Sequence, residues 1–131
     1  MKIRLYRQHL RYRLTEGEVA RWRREGVLVA TTWIGPVPCQ FSLRASEGLE
    51  TQAISYAEQE WRVLLPAERM RAWADDPAAI SLRLHFRTTD YPELLVLIEK
   101  DLGCKHEQAA PGEEAADPYP LPGTGNAAPG D

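Results

Sequence analysis

Leu94-Leu95-Val96-Leu97-Ile98 is an unbroken apolar run that stops abruptly at Glu99-Lys100-Asp101. A run with no polar alternation has no solvent face, so it reads as a central strand covered on both sides. A chain containing such a strand must supply neighbours for both its edges and cover for both its faces. The expectation is that the stretch from Pro92 to His106 organises the fold. Just past the acidic end of that run stand Cys104 and His106.

The rest of the chain offers many short partners. Ile3 and Leu5, then Leu10, Tyr12 and Leu14, alternate with polar residues across a break near Gln8-His9, which predicts a hairpin. Its outer face carries Arg4, Arg11 and Arg13. Like charges opposed on paired strands repel, so something acidic should cover them or an anion should bind there. Thr15 followed by Glu18 matches a capping box, and Gly26 is a C-terminal stop, so a helix should span about Glu16 to Arg24. Val19 and Trp22 would form its buried stripe.

Further strands are expected over Val27–Ile34, Gln40–Ala45, Leu49–Tyr56, Glu60–Leu65 and Ile80–Phe86, with Gly35-Pro36-Val37-Pro38 as a breaker. Trp61, Val63 and Leu65 should point inward. A second helix should start at Pro66 and run to about Ala74, with Met70 and Trp73 on its apolar side. Leu14, Val19 and Trp22 have counterparts in Leu65, Met70 and Trp73 at a constant offset. That echo is compatible with an internal duplication, and equally with two unrelated amphipathic helices. All four tryptophans (Trp22, Trp33, Trp61 and Trp73) fall where core packing would explain them.

Composition bounds the function classes. At 131 residues one domain is the default, and a core can form without cross-links. Two cysteines are not a disulfide framework. No signal-peptide core or membrane-spanning stretch is visible, so a cytoplasmic protein is expected. The formal net charge of −3 is unevenly placed. Residues 1–25 carry eight cationic and three acidic side chains, whereas residues 91–131 carry two cationic and eight acidic ones. A basic start and an acidic end suggest that the two meet.

From about Gln108 the sequence loses periodicity and turns to Ala, Pro, Gly and acidic residues. That composition buries too little to offset ordering entropy. The expected organisation is one α+β domain over 1–107 and a disordered tail over 108–131. Within the tail, Pro118-Tyr119-Pro120-Leu121-Pro122 favours an extended helix suited to docking on a protein partner.

Candidate chemistry is sparse. Cys104 and His106 are ligand types for zinc or iron, but one Cys-x-His pair lacks the second pair such sites need. Cys39 and His85 are the only distant candidates. No cofactor is expected. Arg4, Arg11 and Arg13 could hold a phosphate or carboxylate bidentately. Ion pairing to Glu99 and Asp101 is the simpler reading. No glycine-rich phosphate loop or nucleic-acid motif accompanies the arginines.

Several of these short signatures resemble a family of small bacterial proteins known only as a domain of unknown function. They are the Lys-Ile-Arg opening, the Leu14-Thr15 and Leu65-Pro66 helix entries, Trp73, the closing Glu99-Lys100-Asp101 with Cys104, and the Asp117-Pro118-Tyr119-Pro120 ending. Leu102 and Leu121 depart from the pattern. The resemblance implies a shared fold and no activity.

The sequence therefore predicts an α+β fold. About eight antiparallel strands should form a bent sheet, sandwich or barrel, closed by two short helices. The functional expectation is a non-enzymatic binding or interaction module. One alternative is a small metal- or anion-dependent enzyme using Asp101, Cys104 and His106. Another is nucleic-acid binding through the N-terminal hairpin.

Overall fold

The computed structural model describes residues 1–103. Ten elements follow in the order β1 (Lys2–Tyr6), β2 (His9–Leu14), α1 (Glu16–Glu25), β3 (Val27–Ile34), β4 (Val37–Ser46), β5 (Ala53–Ala57), β6 (Glu60–Pro66), α2 (Ala67–Asp75), β7 (Ser81–Phe86) and β8 (Leu94–Lys100). They form two four-stranded sheets, ordered β1-β2-β8-β7 and β3-β4-β6-β5, and neither closes into a barrel. The α+β expectation holds.

Each strand pairs antiparallel with its hairpin mate, but β2 with β8 and β4 with β6 are parallel. The sheets are thus mainly antiparallel, as expected, with one parallel junction in each. A tight turn dictates antiparallel pairing within a hairpin. No turn joins β2 to β8 or β4 to β6, so their direction is set by how hairpins dock.

The echo in the sequence corresponds to a pseudo-twofold architecture. Replacing β1, β2, β3 and β4 by β5, β6, β7 and β8, and the reverse, converts one sheet order into the other. The first hairpin turns at Arg7-Gln8 and its counterpart at Glu58-Gln59, again 51 residues apart. Both halves read strand, strand, helix, strand, strand, and each sheet takes one hairpin from each half.

Sequence accounts for the helix boundaries. The Thr15 hydroxyl accepts from the Glu18 backbone N–H at 3.2 Å, and Glu18 Oε1 accepts from the Thr15 N–H at 2.9 Å. Gly26, at φ 83°, ends α1 with its N–H donating to the Trp22 carbonyl at 2.7 Å. Only glycine takes that conformation without strain. At the end of α2, the Lys100 ammonium donates to the Trp73 and Asp76 carbonyls at 2.9 and 2.8 Å. It also lies 4.9 Å from the centroid of the Trp73 ring.

The core is one cluster drawn from both sheets and both helices. Val19 and Trp22 of α1 and Met70 and Trp73 of α2 are buried in it. The two indoles meet edge to face at 6.1 Å, with planes 65° apart. Burying two indoles this way adds specific geometry to a large hydrophobic term. Arg23 and Asp75 tie the helices at the surface with bonds of 3.0 and 3.2 Å.

Three local expectations need correction. The strand after the proline-rich breaker starts at Val37, not Gln40, and includes Pro38. Its pairing with β6 begins only at Gln40, so at Pro38 the strand has no partner on that side to miss an N–H. The Leu94–Ile98 run is central, between β2 and β7, but only Val96 and Ile98 are fully buried. Leu95 and Leu97 are half-buried on the opposite face. Trp33 and Trp61 are not core residues, being 65% and 42% exposed. Alternation put Trp61 on the inward face correctly, yet the core ends short of it.

Candidate anion-binding face

The outer face of the β1-β2-β8-β7 sheet gathers most of the basic residues singled out above. Pairing register sets three rows across it. Lys2, Arg13, Glu99 and Ser81 form one. Arg4, Arg11, Leu97 and Arg83 form the next, and Tyr6, His9, Leu95 and His85 the third. Five cationic side chains therefore share this face with one carboxylate, around an aliphatic middle of Leu95 and Leu97.

Arg4 and Arg11 are direct cross-strand partners. Like charges so placed repel unless an anion lies between or beside them. Glu99 supplies part of the cover, accepting from the Arg11 guanidinium at 2.9 Å. Lys2, Arg4, Arg11, Arg13 and Glu99 line a hollow of about 10 Å³. That is the room of one water molecule, too small to enclose an organic substrate. The face is a shallow surface, not a pocket.

The strand run and the first hairpin thus lie side by side, and Arg11 and Glu99 form the ion pair between them. Asp101 stands just past the strand, where its backbone N–H donates to the Leu14 carbonyl at 2.8 Å. Cys104, His106 and the tail over 108–131 lie outside the described residues. Cys39 is on β4 in the other sheet, and His85 is on β7. The His85 Nδ1 lies 2.9 Å from Glu93 Oε2, and Arg87 Nε lies 3.2 Å from the same oxygen. Hydrogen bonds from His85 first and Arg87 second hold the Glu93 carboxyl below the usual carboxylate range. Among the described residues, no three His, Cys, Asp or Glu side chains converge as metal ligands.

Alternation within the expected Ile80–Phe86 strand sets Arg83 and His85 on the side opposite Leu82 and Leu84, but nothing local joins them to the hairpin arginines. The missing information was long-range: β7 reaches that sheet only through β8. Another cluster was missed outright. Glu60, 6% exposed on β6, bonds the Ser42 hydroxyl and accepts from Arg44 at 2.8 and 3.2 Å. Arg62 Nε lies 3.2 Å from its other oxygen. Burial pushes this carboxyl up, but Ser42, Arg44 and Arg62 outweigh it and hold it at about 2. A carboxylate locked in that state is a fixed anion near neutral pH and no proton shuttle. It offsets part of the charge of Arg44 and Arg62 on the outer face of the second sheet.

Fold and face together define a pseudo-symmetric, two-sheet α+β protein with one strongly basic, shallow sheet surface. The chain belongs to the family of unknown function DUF7009, whose model matches residues 1–123. That membership bears out the expected likeness to a domain of unknown function. No curated protein and no solved structure is significantly similar to it.

Proposed function

We propose that this chain is a non-enzymatic interaction module whose basic sheet face binds an acidic, extended polypeptide. The observation carrying this reading is the register of the face: cations of three strands bracket the half-buried Leu95 and Leu97. An extended peptide with alternating acidic and apolar side chains complements that pattern. Its carboxylates would meet the arginines bidentately, and its apolar residues would cover the leucines. Nucleic acid fits less well. Sheets that bind single strands stack bases on central aromatic rings, whereas here the middle is aliphatic and Tyr6 sits on an edge strand. The two-cysteine composition suits a reducing, cytoplasmic setting.

The test uses fluorescence anisotropy at low salt with two probes. One is a labelled peptide of alternating Glu and Leu, the other a uridine oligonucleotide of equal charge. The expected result is peptide binding that weakens with salt and falls at least tenfold in the Arg13→Glu/Arg83→Glu variant. Failure of the wild-type chain to bind the peptide would overturn the proposal. So would equal affinity in the charge-reversed variant. Preference for the oligonucleotide would reassign the face to nucleic acid.

A further inference from the structure

The second sheet carries a different surface, on its inner rather than its outer side. Leu28, Leu43 and Val63 on that side are core residues. One row further along, Phe41 pairs with Trp61, and Trp61 with Tyr56. The rings of Tyr56 and Trp61 lie 4.6 Å apart with planes tilted by 43°, yet Tyr56 is 54% exposed. In the first sheet the counterparts of Phe41 and Trp61, Val96 and Leu10, are buried, whereas Leu5, the counterpart of Tyr56, is 67% exposed. The pseudo-twofold is broken at Trp61, where a larger ring takes the position of buried Leu10 and is 42% exposed.

The β3–β4 hairpin continues past this row. β6 ends its pairing at Gln40, while β4 extends back to Val37 and β3 forward to Ile34. At about 3.3 Å per residue, the overhang is roughly 10 Å long. Its tip turns at Gly35, at φ 64°, and Pro36. Ile34 and Val37, on the same inner side as the aromatic pair, are 67% and 47% exposed. A two-stranded ribbon with an apolar tip gains little stability in water without something to pack on.

We infer that this face is the interface of a homodimer. In it, the β3–β4 tip of each copy lies on the Tyr56–Trp61 pair of the other. The arrangement is self-complementary, as a twofold interface must be: residue i of one copy meets residue j of the second, and the reverse. Area supports a second copy as the occupant. The exposed fractions of Ile34, Val37, Tyr56 and Trp61 come to about 400 Å² of apolar surface, taking roughly 150–250 Å² per large side chain. Two copies would bury about 800 Å² of it, and the polar rim would carry the total into the range of specific dimers. Thr32 and Cys39, the residues between tip and rings on this side, are uncharged. Apposing two copies therefore sets no like charges against each other along the strip. Tryptophan and tyrosine are also the residues that most often dominate such contacts.

Sedimentation velocity over a hundredfold concentration range, centred in the micromolar, decides the matter. The wild-type chain is expected at twice its 14.8 kDa mass. Ile34→Lys/Val37→Lys should shift the midpoint at least a hundredfold toward monomer with an unchanged far-ultraviolet spectrum. Tyr56→Lys provides a second disruption from the other side of the same contact. A monomeric wild-type chain throughout, or dimers undisturbed in both variants, would overturn the inference. A monomer that floats with phosphatidylcholine vesicles would also overturn it, assigning the strip to lipid.

Discussion

Glu60 is the clearest case of a single side chain whose surroundings fix its charge. Its carboxylate joins a fully buried serine to two guanidiniums, and its folded-state value of about 2 lies well below the ordinary carboxylate range. A depressed value means that the charged form is favoured by folding. The stabilisation is therefore fully present above the unfolded carboxylate value, and it is lost as the pH falls through about 2. Glu60→Gln should lower stability at pH 7 by about 2 kcal/mol, because half-buried Arg44 loses its counter-ion and Arg62 keeps only the more distant Glu58. The gap between variant and wild type should close as the pH drops from about 4 toward 2. Urea unfolding at several pH values measures both effects. The sequence showed Glu60 only as the first residue of the expected Glu60–Leu65 strand. What buries it is Ser42 on a parallel neighbour and Arg44 beside it, contacts made across 16 to 18 residues. Alternation within β6 could have shown Glu60 facing outward with Arg62, but nothing local shows that the position is closed to water.

At the scale of elements, the legible parts were those whose signals are local. Thr15, Glu18 and Gly26 fix α1 through bonds spanning at most four residues, and its limits were readable from the sequence. The hairpin turns were legible in place but not in conformation. Glu58 and Gln59 both take positive φ, 54° and 66°, a geometry that favours Asn-Gly and strains longer side chains. Replacing Glu58-Gln59 by Asn-Gly should therefore stabilise the chain, by about 1 kcal/mol. Thermal unfolding would register this as a higher Tm. No change would mean that the Glu58–Arg62 pair, 3.5 Å in the structure, offsets the relieved strain. The basic face shows the opposite limit of legibility. Three of its four strands, β1, β2 and β7, announced an outward arginine or histidine through alternation. Their assembly into one surface depends on the parallel β2–β8 pairing, which no turn encodes.

At the scale of the whole molecule, the two halves are interlocked. The hairpin β1–β2 completes its sheet only with β7–β8, and β3–β4 only with β5–β6. Neither half owns a complete sheet, and the helices of the two halves meet through Trp22 and Trp73. An isolated half would carry two hairpins with an unpaired inner edge each, and a helix with its indole exposed. Two-stranded ribbons of that kind are marginal in water. Chains covering 1–50 and 51–131 should each be largely unfolded alone, by far-ultraviolet circular dichroism and amide-proton dispersion. Mixed in equal amounts they should recover the native spectrum, because every contact missing from one half is present in the other. If the first half folded by itself, the sheets would have to pair differently in it, with β2 finding a partner other than β8. The same interlocking explains why the internal echo was visible in sequence but could not be interpreted there. Matching offsets reveal that two halves resemble each other. They do not reveal that each half's hairpins are exchanged into different sheets, which is what places the basic surface on one sheet and the exposed aromatic strip on the other.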